Sequence, residues 1–119
     1  MPAILTPAHP SYPSNHSFQS HLIAHILGSL FEGYVADTMK AQLFALAARV
    51  SKNREIAGVH FSSDTRAGMD LAEQTFALLD EMPGFREIRN AAKEEGWAIL
   101  GVGPRPFGAG GNASSESGV

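Results

Sequence analysis

The chain has 119 residues, of which 44% are hydrophobic, and a formal net charge of −3. The hydrophobic fraction is high enough to form a globular core, so wholesale disorder is excluded. The length is sufficient for one domain and too short for two. The chain has no cysteine, which excludes a disulfide framework, a thiolate zinc site and a cysteine nucleophile. Its 9 basic and 12 acidic residues give no basic excess of the kind that nucleic-acid surfaces show.

The amino-terminal part carries no signal that would predict export or membrane insertion. No lysine or arginine precedes Lys40, so the start lacks the charged segment of a secretory signal. The longest apolar stretch, residues 22–31, is interrupted by polar residues and glycine, and it is shorter than the roughly 20 residues of a membrane helix. We therefore expect a small soluble domain or a piece of a larger one, and the compartment stays unknown.

The first half of the chain predicts an extended lead-in followed by two helices. Prolines in residues 1–13 interrupt any helix there. Helical periodicity predicts a first helix from Ser17 to about Phe31 that stops at Gly33, and a second from Asp37 to Val50 with Asp37 as its N-cap. The predicted inward faces are Phe18, Leu22, His25, Ile26 and Ser29 or Leu30, and then Met39, Leu43, Leu46, Ala47 and Val50.

The second half predicts two more helices and a tail. Residues 51–58 are polar and then broken by glycine, which is typical of a connector. A third helix is predicted from about Ser63 to the Met82-Pro83-Gly84 break, with Leu71, Ala72, Thr75, Phe76 and Leu79 on its apolar face, and a short charged helix follows over residues 85–95. Residues 101–119 hold six of the 12 glycines. These patterns predict an all-α helical bundle over residues 1–98 and a flexible tail over residues 99–119.

Five histidines are candidates for chemistry, and three of them have ordinary interpretations. His9 lies in the proline-rich lead-in and is predicted to be an exposed loop residue. His21 and His25 are four residues apart on the first helix, a spacing that two metal ligands can share. The residues between them include no glutamate of the zinc-peptidase pattern, so helix-surface or helix-packing histidines are the favoured interpretation.

The other two histidines lie in polar clusters next to predicted helix starts. His16 follows Pro13-Ser14-Asn15, where unpaired backbone N–H groups at a helix N-terminus can bind an anion, although capping by Ser14 alone explains the pattern. His60 is four residues before Asp64, and a carboxylate on one ring nitrogen raises the basicity of the other. Arg54 adds a planar guanidinium suited to an oxyanion, while a surface ion pair with a capping aspartate is the alternative.

The two clusters together resemble the type 2 phosphatidic acid phosphatase and vanadium haloperoxidase superfamily, which includes bacterial nonspecific acid phosphatases. That family carries Pro-Ser-Gly-His and then, a few dozen residues later, Ser-Arg-x5-His-x3-Asp. This chain has Pro13-Ser14-Asn15-His16, then Asn53-Arg54, five residues, His60, three residues and Asp64. The resemblance covers about residues 5–95 and implies that the bundle is the C-terminal part of such a domain.

The resemblance also implies a site and a reaction. His60 would be the nucleophile that forms a phosphohistidine, Asp64 would orient it, and His16 would protonate the leaving alkoxide. Arg54, Ser14 and the Asn15 backbone N–H would bind the phosphate oxygens. Hydrolysis of phosphomonoesters would need no metal or other cofactor; in the haloperoxidase alternative, vanadate would bind at His60.

The chain departs from the family pattern at three positions. Asn15 replaces the family glycine, and Asn53 replaces the serine before the arginine. The first family motif, Lys-x6-Arg-Pro, has no counterpart before Lys40, so two cationic phosphate ligands are missing and activity is expected to be weak or absent. Three hypotheses follow: a phosphatase, a vanadium-dependent haloperoxidase, or a non-catalytic helical remnant. The expected partners are a small phosphate ester and, for exposed apolar faces, a second copy or missing N-terminal helices.

Overall fold

A computed structural model describes residues 10–100. For Tyr34 and Leu100, it describes the backbone only. It contains four α-helices: α1, Asn15–Gly28; α2, Ala36–Ile56; α3, Ser62–Glu81; and α4, Pro83–Leu100. A single 3-10 turn, Gly33–Val35, precedes α2. Since residues 10–100 contain no strand, the predicted all-α bundle is confirmed. None of these helices is both long enough and apolar enough to cross a membrane.

Several predicted helix boundaries were wrong, most of all that of the second helix. Helix α2 continues through residues 51–56, which were predicted to be a connector, because the Ser51 hydroxyl is buried and donates to the Ala47 carbonyl at 2.9 Å. Asp37 is in the first turn of α2, whose N-cap is Val35. Helix α1 ends at Gly28, well before Gly33, and the predicted break at Met82 is confirmed.

Helix α1 lies between α2 and α3 and has opposite orientations relative to them. The ring of His25 packs on Phe44, and Gly28, further along α1, lies against Lys40. Because the contacts advance along α1 while they go back along α2, the two helices are antiparallel. Ser14 contacts Asp64 and His25 stacks on Phe76, so α1 and α3 are parallel. The N-termini of α1 and α3 and the C-terminus of α2 therefore lie at the same end of the bundle.

The buried core consists of small side chains, which confirms only part of the predicted inward faces: Ala47 and Ala72 are buried as predicted, and the larger predicted residues are half-buried or exposed. The buried apolar residues in the described part of the chain are four alanines and one valine: Ala24, Ala36, Ala47, Val59 and Ala72. Along α1 the buried positions are Ser17, His21, Ala24 and Gly28, whereas Leu46 of α2, predicted to face inward, is 61% exposed. Small residues let the three helix backbones approach closely, and the larger apolar side chains lie around this contact.

Helix α4 packs at the opposite end of the bundle. Phe85 packs edge-on against Phe76, Arg89 pairs with Asp80, and Trp97 Nε1 donates to the Leu30 carbonyl at 2.8 Å. Helix α4 ends at Leu100, so residues 99 and 100, which were predicted to belong to the tail, are helical. The rest of that predicted tail, residues 101–119, lies outside the described residues.

Candidate functional site

The two sequence clusters meet where α1 and α3 begin side by side. The Ser14 N–H donates to the Asp64 carbonyl at 2.9 Å, and the Ser17 hydroxyl donates to the Thr65 carbonyl at 2.8 Å. Each helix start presents unpaired N–H groups and the positive end of a helix dipole. Two such ends in contact favour negative charge at this place more than either does alone.

Gly68 makes this close approach feasible. A Cβ at Gly68 would lie 2.6 Å from the Ser14 carbonyl oxygen and 2.9 Å from the Phe18 nitrogen. Both are backbone atoms, so they could not move aside without separating the helices. Sequence reasoning missed this role, and it also missed the anchoring of Ser17 to Thr65. The signal that could have indicated the role of Gly68 was a glycine inside a helical pattern.

Ser14 and Asn15 form the start of α1. Ser14 is fully buried, and its Oγ caps the helix by accepting from the Ser17 N–H at 3.2 Å. The ordinary capping role is therefore present, and the hydroxyl still has a proton to donate. Asn15 is the first helical residue, and every non-glycine residue in the described part of the chain has negative φ. The family glycine's freedom at positive φ is thus not required here.

His16 is the second residue of α1, so its predicted place at a helix start is confirmed. Its side chain is exposed, and its carbonyl accepts from the Ser20 hydroxyl at 2.7 Å. An exposed imidazole at this position is accessible to a ligand from solvent. Its separation from His60 stays a prediction.

His60 is buried in the turn before α3. Its predicted position next to a helix start is confirmed: α3, predicted from about Ser63, begins at Ser62, after the N-cap Phe61. The bend comes from Gly58, whose φ of 82° is in the left-handed region that favours glycine. His60 Nδ1 is nevertheless 3.5 Å from Asp64 Oδ2, an electrostatic contact rather than a short hydrogen bond. The same carboxylate oxygen accepts from the Phe61 N–H at 2.8 Å, so Asp64 also caps α3.

Arg54 lies in the last turn of α2, and its backbone is joined to the same turn. Its carbonyl accepts from the Val59 N–H at 3.3 Å, next to His60. Arg54 Nε and both ring nitrogens of His60 are buried, and none of them has a hydrogen-bond partner among residues 10–100. A buried polar group without a partner costs about 1–3 kcal/mol, and more when it is charged. An anion that accepts from the Arg54 Nε–H would remove the guanidinium's share of that cost.

The remaining pair of histidines packs in the helix interface, as predicted. His21 is buried, and its Nδ1 donates to the Ser17 carbonyl at 2.8 Å. His25 stacks on Phe76 and meets Phe44 edge-on. Within the described residues, no group of three or more histidines and carboxylates is arranged to hold a metal ion.

Comparison with protein-family models, with curated proteins and with solved structures found no match for this chain. The chemistry of the site therefore has to be argued from its own residues.

Proposed function

We propose that this chain binds phosphate esters at the paired starts of α1 and α3 and acts as a phosphatase-like hydrolase. The observation that carries the proposal is the buried and unpartnered state of Arg54 Nε and His60 Nε2, in residues that flank the turn between α2 and α3. A buried guanidinium N–H without an acceptor is costly, and a tetrahedral oxyanion is an acceptor that suits it. The unpartnered Nε2 of His60 keeps its lone pair for attack on phosphorus.

The proposed reaction assigns one chemical role to each of these groups. Neutral His60 attacks phosphorus through Nε2, the P–N bond forms as the P–O bond to the leaving group breaks, and His16 gives its proton to the leaving oxygen. Asp64, 3.5 Å from Nδ1, stabilises the positive ring. Water then attacks the phosphohistidine, giving a proton to His16, and releases inorganic phosphate and His60.

Charge neutralisation limits the rate of this proposed reaction. Catalysis of phosphoryl transfer depends on positioning and on cations around the three equatorial oxygens. In this sequence no lysine or arginine precedes Lys40, and Arg54 is the one arginine of the matched motifs. We therefore expect the 119-residue chain to bind phosphate and vanadate clearly and to hydrolyse p-nitrophenyl phosphate slowly.

Removing the guanidinium tests the binding step. In Arg54→Ala, the dissociation constant for inorganic phosphate, measured by isothermal titration calorimetry, should rise at least about tenfold, because a charge-assisted hydrogen bond is worth about 1.5–3 kcal/mol. Arg49→Ala is the matched control, since Arg49 is exposed on the same helix. Equal weakening by both substitutions would mean that net charge, and not this site, attracts phosphate.

A covalent trap tests the chemical step. Acid-labile phosphate should appear on the wild-type chain after incubation with p-nitrophenyl phosphate, detected by 31P NMR as a phosphohistidine, and it should be absent in His60→Gln. Phosphate binding without any phosphohistidine or turnover would favour the non-catalytic remnant. Halide oxidation by the vanadate-loaded chain with peroxide, without phosphatase turnover, would favour the haloperoxidase.

A further inference from the structure

An open groove runs beside the candidate site, along the exposed ring of Tyr12. One cavity of this groove has a volume of about 360 Å³ and is lined by Tyr12, Ser62, Ser63, Arg66, Ala67 and Asp70. A second cavity shares Tyr12, Ala67 and Asp70 and continues to Leu71. We name this continuous surface the Tyr12 groove. The volume of the first cavity is in the range of small-molecule sites.

Both walls of the Tyr12 groove adjoin the candidate anion site. Tyr12 is two residues before the buried Ser14, and Ser62 is two residues after the buried His60. Two residues of extended chain span at most about 7 Å. A phosphate ester held between Ser14 and His60 therefore places its organic group within reach of the Tyr12 ring.

The lining of the groove favours a planar ligand with polar edges. Tyr12 is 64% exposed, so it presents a ring on which another ring can stack. Ser62, Ser63 and Asp70 offer hydroxyl and carboxylate groups, and Arg66 offers a planar guanidinium. An alkyl group would cover these polar groups without pairing them, which costs free energy.

We propose that the Tyr12 groove receives a planar, hydrogen-bonding aromatic group, so that the phosphate esters bound by this chain are those of aryl or heteroaryl compounds. This inference rests on the proposed function, because it assigns the organic part of the same substrate. Tyr12 stacks on the ring, while Ser62, Ser63 and Arg66 select its polar edge.

The test compares three ligands on the full chain by isothermal titration calorimetry: inorganic phosphate, ethyl phosphate and 4-hydroxyphenyl phosphate. The aryl ester should bind about threefold to tenfold more tightly than ethyl phosphate, which is the range expected for one aromatic stacking pair. Tyr12→Ala should abolish this preference and leave inorganic phosphate affinity unchanged. Tyr12→Phe, which keeps the ring, should retain most of it.

The controls separate a failure of the groove from a failure of the anion site. Leu78→Ala removes an exposed side chain of α3 that does not line the groove, and it should leave all three affinities unchanged. If inorganic phosphate does not bind, the proposed function itself is overturned. If phosphate binds but the aryl and ethyl esters bind equally, or if the preference survives Tyr12→Ala, only the role of the groove is overturned. If Ser63→Ala leaves the affinity for the aryl ester unchanged, the proposed selection of the polar edge is overturned and only the stacking on Tyr12 remains.

Discussion

His25 is held between two aromatic rings in the centre of the bundle, and its environment disfavours a charge. Desolvation by burial is the main cause that lowers its pKa below the usual 6.5; Glu73 opposes this shift, and His21 adds to it. The ring stacks on Phe76 with an interplanar angle of 16° and meets Phe44 at 78°. Protonation of His25 therefore opposes the packing of α1 against its neighbours.

The pH dependence of stability follows from this lowered pKa. The unfolded chain takes up the proton first as the pH falls below about 6.5, so the contribution of His25 to the free energy of unfolding decreases from there towards its lower folded-state pKa. Urea unfolding at pH 7.5 and pH 5.5 should show this loss. In His25→Phe, which keeps a ring but has no titrating group, the loss should be smaller; an unchanged pH dependence would contradict the assignment. His25→Gln provides a second non-titrating variant should Phe not fit.

At the scale of the elements, sequence periodicity located all four helices and only part of the faces that they bury, such as Ala47 and Ala72. Proline at position 83 marked the α3–α4 break correctly, because proline ends one helix and can begin the next. The buried positions of α1 include Ser17, His21 and Gly28, so the apolar pattern on which the prediction rests points to a different face. Close backbone packing selects for small volume rather than for hydrophobicity, and apolar periodicity does not record volume.

The candidate site was predictable in its residues and only partly in its geometry. The residue types at 13–16 and 53–64 carry the motif resemblance, and the structure brings Ser14 into backbone contact with Asp64. The sequence placed His60 just before a helix predicted from about Ser63, but it could not show the left-handed conformation of Gly58, from which the bend before His60 comes. Nor could it show the contact of Gly68 with Ser14, which joins residues 54 positions apart in the chain.

The contact at Gly68 gives a prediction for the α1–α3 packing. Gly68→Ala places a methyl group 2.6–2.9 Å from backbone and side-chain atoms of α1, so the free energy of unfolding should fall by about 1–3 kcal/mol. Phosphate affinity should fall with it, because the two helix starts are pushed apart. Both are measured by urea unfolding followed by circular dichroism and by calorimetric titration.

Gly96→Ala is the matched control within the same chain. Gly96 lies inside α4, and a Cβ there would meet nothing within 4 Å. The substitution should therefore stabilise the protein by about 0.5–1 kcal/mol through helix propensity and leave phosphate affinity unchanged. If Gly68→Ala behaved in the same way as Gly96→Ala, α1 and α3 would not be in close contact at the site.

At the scale of the whole molecule, the small core predicts low intrinsic stability. The buried apolar side chains of the described region are alanines and one valine, while the following are each more than 60% exposed: Leu46, Ile56, Phe61, Leu78, Ile88 and Ile99. Burial of apolar area contributes about 25 cal/mol per Å², so small side chains contribute little each. The unpartnered nitrogens of Arg54 and His60 lower the free energy of unfolding further.

An anion that binds only the folded state should raise the free energy of unfolding, and this rise should be a large fraction of a low intrinsic stability. At a phosphate concentration of 100 times the dissociation constant, the free energy of unfolding should rise by about 2.7 kcal/mol through mass action. Phosphate also stabilises proteins generally by exclusion from their surfaces, so the wild-type shift alone decides nothing. The shift has to be compared with that of Arg54→Ala, in which the general effect remains and the specific one is lost. Equal shifts in the two chains, measured by urea unfolding across a phosphate series at constant ionic strength, would mean that no buried anion site links ligand binding to folding.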